Sequence, residues 1–188
     1  PFFDAENINE EICGGQYNEN PILDGKNTCS GQFDIVPKPV QGYGLFYLWG
    51  QDEKDQPSNF FIGGCNHDNI AYGLEGALDN IYVNFYANSY KANTSTKIKL
   101  EVYGAGDDIF VSEIPVDWEG WKLISIRLSD LSLGEAGANG PGYLDASFIK
   151  KTGFGILSGG ARAPGTEAYL AVDFVTYTYN TPFNQNLN

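Results

Sequence analysis

A chain of 188 residues is long enough to bury a substantial core and usually forms one domain. Its 24 acidic residues against 11 basic ones give a net charge of −13, which leaves no basic footprint for nucleic acid or an anionic membrane surface. With 23 glycines, 12 tyrosines, 12 phenylalanines and no methionine it suits turn-rich β-structure better than a helical bundle. No apolar run nears the roughly 18 residues of a membrane-spanning helix.

Residues 1–32 are polar with isolated apolar positions and read as an N-terminal extension or linker. They hold Cys13 and Cys29, which flank a polar, glycine-bearing segment and could pair; Cys65 is then left over, and three reduced thiols fit equally well. From Phe33 the character changes. Strand-like runs follow at 43–50 (YGLFYLWG), 59–64, 78–88 (LDNIYVNFYAN), 96–104 (TKIKLEVYG), 108–116, 121–128 (WKLISIRL), 153–159 and 168–179 (AYLAVDFVTYTY), with Gly, Asn, Asp and Pro between them. Eight short strands at this spacing predict an antiparallel sandwich or barrel over 33–181, with 182–188 as a C-terminal tail.

Alternation assigns faces to these strands. Ile98, Leu100 and Val102 oppose Lys97, Lys99 and Glu101, and Ile81, Val83 and Phe85 oppose Tyr82, Asn84 and Tyr86. Leu170, Val172, Phe174 and Thr176 are expected on one side of the last strand, with Ala171, Asp173, Val175 and Tyr177 on the other. In 121–128 the better core face is Ile124, Ile126 and Leu128. Gly120 is free to take a positive φ ahead of that strand. Trp121 is expected at the core or its edge, whereas Trp118, on the approach, suits either packing or a ligand. Asp107 and Asp108 in YGAGDDIF read as a hairpin turn. The loop SLGEAGANGPG is too glycine-rich for regular structure, and LDASFIKK predicts a short helix capped by Asp145.

Chemistry-bearing motifs are sparse. Cys65, His67 and Asp68 in GGCNHDN stand close together, yet one Cys and one His make an incomplete zinc set, so His67 reads as a loop residue without a special role. No G-x-S-x-G, H-E-x-x-H, P-loop or dinucleotide fingerprint occurs. A glycosidase pair such as Glu101 and Glu113 could be proposed, but salt bridging of Glu101 with Lys97 and Lys99 on a solvated face is the simpler account. Sugar binding has better material, because sugar C–H faces stack on aromatic rings while polar side chains fix the hydroxyls. The candidates are Tyr43, Tyr47 and Trp49 on one strand, Tyr82, Asn84 and Tyr86 on another, and Trp118; Tyr177 and Tyr179 also share a face. A protein-interaction or spacer domain would need no such aromatic line.

The segments LDNIYVNFYAN, TKIKLEVYGAGDDIFVSEIPVDWEGWKLISIRLSDL, YLDASFIKKTGFGILSG and AYLAVDFVTYTYN, in this order, resemble carbohydrate-binding modules of the galactose-binding-like jelly-roll fold. They look particularly like the glycan-binding parts of surface lipoproteins of Bacteroidetes. The resemblance spans about residues 40 to 180. It implies a non-catalytic module that binds polysaccharide or oligosaccharide, secreted and held at a cell surface, alongside other domains of a longer protein. Many such jelly rolls hold a structural calcium between the N-terminal segment and the last strand, and the matching acidic positions are Asp4, Glu6 and Asp173. The alternative for Asp173 is a surface-facing carboxylate hydrogen-bonded to a neighbouring loop.

Overall fold

Alternating side chains decide which side of each strand is buried. Ile81, Val83, Phe85 and Ala87 leave one side of their strand for the interior, and Ile98, Leu100 and Val102 leave theirs from a second sheet to meet them. The computed structural model describes residues 40, 46–51, 58–63, 71–89, 92–158 and 167–184, with the backbone alone for 46–51, 58–63, 93–95, 156–158 and 167–170. Its strands are β1 Phe46–Gln51, β2 Ser58–Gly63, β3 Ile81–Ser89, β4 Asn93–Tyr103, β5 Ile109–Val116, β6 Gly120–Arg127, β7 Ser132–Glu135, β8 Lys151–Ser158 and β9 Glu167–Tyr179. They form a four-stranded sheet, β1-β9-β3-β6, and a five-stranded sheet, β2-β8-β4-β5-β7, antiparallel throughout. The protein is an all-β sandwich, and no α-helix occurs among the described residues.

The two inner faces join at Phe85 of β3 and Phe154 of β8, whose rings meet edge to face with centroids 4.7 Å apart. Such a contact adds about 0.5–1.5 kcal/mol to the burial of the rings themselves. Ile124 and Leu128 are buried on the expected side of β6, Ile126 packs against the same core, and Gly120 has φ 78°. Of the two tryptophans, the one on the approach is the one packed on the core. Trp121 is half-buried on the opposite side from Ile124, across from Asn88, because odd positions of β6 point outward. Trp118 packs against the core instead.

Three further expectations are revised. In β9 the register to β3 jumps from Tyr86↔Asp173 to Asn84↔Thr176, and Phe174 takes φ 52°. This bulge resets the alternation, so Val172 and Val175 both enter the core and Tyr177 packs against it. The glycine-rich loop contains β7, which pairs with the edge of β5. Its four residues are exposed, so no apolar period announces it. The expected helix is a single 3-10 turn, Ala146–Phe148, capped as anticipated by Asp145, whose carboxylate accepts the Ser147 N–H. The chain must be extended again two residues later to enter β8, which leaves no room for a longer helix.

Candidate functional site

β3 turns Tyr82, Asn84 and Tyr86 away from the core, as the sequence predicts, but two of the three are closed off. Asn84 is 0% exposed. Its amide donates to Tyr82 O, Thr176 O and Thr178 Oγ1, and its Oδ1 accepts the N–H of Phe183 at 2.9 Å. Tyr86 is 2% exposed, with its ring 6.4 Å from that of Phe174, which in turn lies 5.1 Å from the ring of Phe183. Among the described residues the Tyr86 hydroxyl has no hydrogen-bond partner, and burial raises its pKa. Neither residue is therefore presented to a ligand: residues after β9 fold back over this face. Tyr82 remains half-buried, and its hydroxyl accepts from Nε and Nη2 of Arg127, whose guanidinium lies 5.4 Å from the ring centroid.

Trp118 donates from Nε1 to Ala87 O at 3.3 Å, and Lys122 Nζ sits 4.7 Å from its ring centroid. One side of the indole meets the core and a lysine lies over the ring, so a sugar stacking there would have to displace Lys122. Tyr177 and Tyr179 part company. Tyr177 packs on the core, with its hydroxyl 2.7 Å from Thr152 Oγ1 and its pKa pushed up by burial. Tyr179 is exposed and accepts Glu75 N–H. Tyr47 and Trp49 lie in β1 opposite Ala171 and Tyr169, with the backbone alone described. Tyr43, Asp4, Glu6, Cys13, Cys29, Cys65, His67 and Asp68 lie outside the described residues.

Asp173 is buried and holds two backbone groups, Val40 N–H on Oδ2 at 2.8 Å and Phe174 N–H on Oδ1 at 2.7 Å. These bonds satisfy a carboxylate that would otherwise be costly to bury. Among the described residues no group of three His, Cys, Asp or Glu side chains is placed to hold a metal ion. A calcium at Asp173 would draw its other ligands from Asp4, Glu6 and backbone carbonyls.

The outer face of the five-stranded sheet is built differently. β4 sends Lys97, Lys99, Glu101 and Tyr103 outward in turn, and Lys151 stands opposite Tyr103 on β8. Glu101 is only 5% exposed; Lys99 Nζ meets its Oε1 at 2.5 Å, and the Tyr103 hydroxyl donates to its Oε2 at 3.1 Å. Lys151 Nζ lies 4.7 Å from the Tyr103 ring centroid. Burial, then the charge of Glu101, drive the Tyr103 pKa far above its ordinary value, while burial lowers that of Lys151. Lys97 pairs with Glu113 at 2.7 Å in solvent. A phenol, a carboxylate and two ammonium groups thus share one partly desolvated patch, a mixed donor and acceptor set of the kind that fixes hydroxyls. The salt bridging expected at Glu101 is present, with Lys99 as partner, but Glu101 is covered rather than solvated. The signal was the K-x-K-x-E-x-Y run at 97–103, in which an aromatic closes a polar row.

No model of a known protein family matches the chain, and no curated protein matches its sequence. Solved structures do. A family 11 carbohydrate-binding module from Clostridium thermocellum, in complex with a β-1,3-1,4-mixed-linked tetrasaccharide, aligns at TM-score 0.50 and 15% identity over 74% of this chain and 78% of that one. SGBP-B of a complex xyloglucan utilization locus in Bacteroides uniformis aligns at TM-score 0.50 and 12% identity over 90% of this chain, and an exo-β-agarase at 0.52 and 13% over 77%. The chain spans 50% of the former and 22% of the latter. The fold is the β-sandwich of carbohydrate-binding modules. Among the described residues no helix is long and apolar enough to cross a membrane.

Proposed function

We propose that this chain is a non-catalytic glycan-binding module that works outside the cell, at or near its surface, within a larger glycan-capturing protein. The observation that carries the reading is the Lys99–Glu101–Tyr103–Lys151 group on the outer face of a sandwich shared with a module that is solved with a tetrasaccharide. A glycan hydroxyl can exchange for either partner of Glu101, and the desolvated setting strengthens each such bond. Hydrolysis is disfavoured because the sequence carries no catalytic fingerprint. The net charge of −13 favours neutral polymers.

Affinity electrophoresis in mixed-linkage β-glucan, xyloglucan and agarose tests the proposal. The expected result is retardation by at least one polymer, with Glu101→Gln weakening it about tenfold, or about 1.4 kcal/mol. Retardation by none of the three, or release of reducing sugar from any of them, overturns the reading. A spacer or protein-interaction domain would give the former result.

A further inference from the structure

Between β7 and β8 the chain runs AGANGPGYLDASFIK, residues 136–150. It carries two exposed aromatic side chains, Tyr143 at 65% and Phe148 at 54% exposure. A glycine-rich stretch of this length has every reason to be loose, yet it is tied at several points. The carboxylate of Asp108, itself 0% exposed, accepts Gly137 N–H at 2.8 Å and Gly142 N–H at 2.7 Å, so this turn residue is a clamp as well. A Cβ at Gly137 would overlap the Gly106–Asp108 backbone, and one at Gly140 would overlap that same carboxylate, so both positions require glycine. Leu144, Ala146 and Ile149 are buried anchors, and Asp145 caps the turn between them. Ile149 O accepts Tyr72 N–H, and Lys150 Nζ reaches Asp107 at 2.6 Å.

This bracing contributes stability through the buried residues, whereas the two outward rings leave more than half of their surface in solvent. Holding rotamer-poor aromatics in place before a ligand arrives lowers the entropy lost on binding. The surroundings of the rings select the kind of ligand. Along the chain the two rings are separated by buried Leu144 and Ala146 and by the polar Asp145 and Ser147, an interrupted pattern unlike the continuous apolar patch of a protein-docking surface. Isolated rings among polar groups suit sugars, which alternate C–H faces with hydroxyls.

Both ends of the segment meet the Tyr103 end of the polar face. Glu135, which precedes it, pairs with Ile109, the partner of Tyr103, and Lys150 N–H donates to Tyr103 O at 3.1 Å. We infer that Tyr143 and Phe148 form a second contact for a polysaccharide held on the β4 face, so that the protein selects long chains over short oligosaccharides. The inference rests on the glycan reading above, and its test separates the two.

The polymers are mixed-linkage β-glucan, xyloglucan and agarose in affinity gels, and the short probe is the mixed-linked tetrasaccharide in calorimetry. The Tyr143→Ala/Phe148→Ala double variant should weaken polymer binding about tenfold, or about 1.4 kcal/mol, while leaving tetrasaccharide binding within about twofold. Tyr143→Phe, which keeps the ring, and Leu133→Ala, which removes an exposed apolar side chain from β7, should both bind as the parent does. Thermal melts verify that each variant is folded. If the parent binds no polymer, the glycan reading fails and takes this inference with it. If the parent binds and the double variant binds equally well, the second contact alone is overturned. Equal loss for polymer and tetrasaccharide overturns the selection for long chains.

Discussion

On the four-stranded sheet, the outward row of β3 runs Tyr82, Asn84, Tyr86, and the middle of it is sealed under Phe174 and Phe183. On the five-stranded sheet, the outward row of β4 runs Lys97, Lys99, Glu101, Tyr103, and its lysines stay in partial contact with solvent. Both rows come from the same period-two pattern with polar or aromatic residues opposite aliphatic ones. The difference lies in what covers them. The chain leaves β9 at Tyr179 and turns back across its own sheet, with Asn180 N–H on Asn80 O and Phe183 N–H on Asn84, whereas β4 sits at the centre of the other sheet, away from that return. An aromatic on a sheet face is thus no binding residue until its neighbours in space are known.

The largest expected effect that sharpens this contrast comes from Asn84→Ala. It strands the Phe183 N–H and several acceptors in a buried setting, and should cost about 3 kcal/mol in urea denaturation with no change in glycan affinity. A fall in affinity with stability intact would mean that the closed face is the working one. Next in size is calcium. If Asp4 and Glu6 join Asp173, calcium at a hundred times its Kd should stabilise the fold by about 2.7 kcal/mol, and excess chelator should remove the gain. Identical melting midpoints with and without chelator, together with no metal in elemental analysis, would discard the site. Tyr86→Phe removes a buried hydroxyl with no partner among the described residues and should be neutral or stabilising by up to about 1 kcal/mol. A clear destabilisation would show that this hydroxyl does engage a partner.

The smallest effect is a pH dependence. The Lys150 hydrogen bond, then its charge, hold the Asp107 pKa below its ordinary value of 3.8. A depressed pKa means that the contribution is complete above the unfolded value and is lost as pH falls through the folded one. Because Asp107 is exposed, the amount is under about 1 kcal/mol, and Asp107→Asn should remove that part of the acid limb. An unchanged acid limb in Asp107→Asn would sink the assignment.

Much of the sandwich was legible because strand period and turn residues are local. All eight expected strands are present, and the inward sets of β3, β4 and β6 match. The candidate site was far less so. The aromatic pattern points to glycan platforms, yet Tyr86 is buried and Tyr177 and Trp118 are packed on the core, while the K-x-K-x-E-x-Y row reads as merely solvated. Pattern reports which side of a strand a residue occupies and says nothing of whether a distant segment lies on that side.

The sequence by itself determined the class of fold, the inward rows of β3, β4 and β6, the positive φ at Gly120 and the cap at Asp145, each settled by residues within a few positions of one another. Only the tertiary structure decided that Asp108 clamps a loop 29 and 34 residues away and that Phe183 seals a row 99 residues earlier. It also decided the bulge at Phe174, which returns β9 to the core after a break in register. These features depend on hydrogen bonds and ring contacts that form once the sheets are in place, and such contacts leave no periodic trace along the chain.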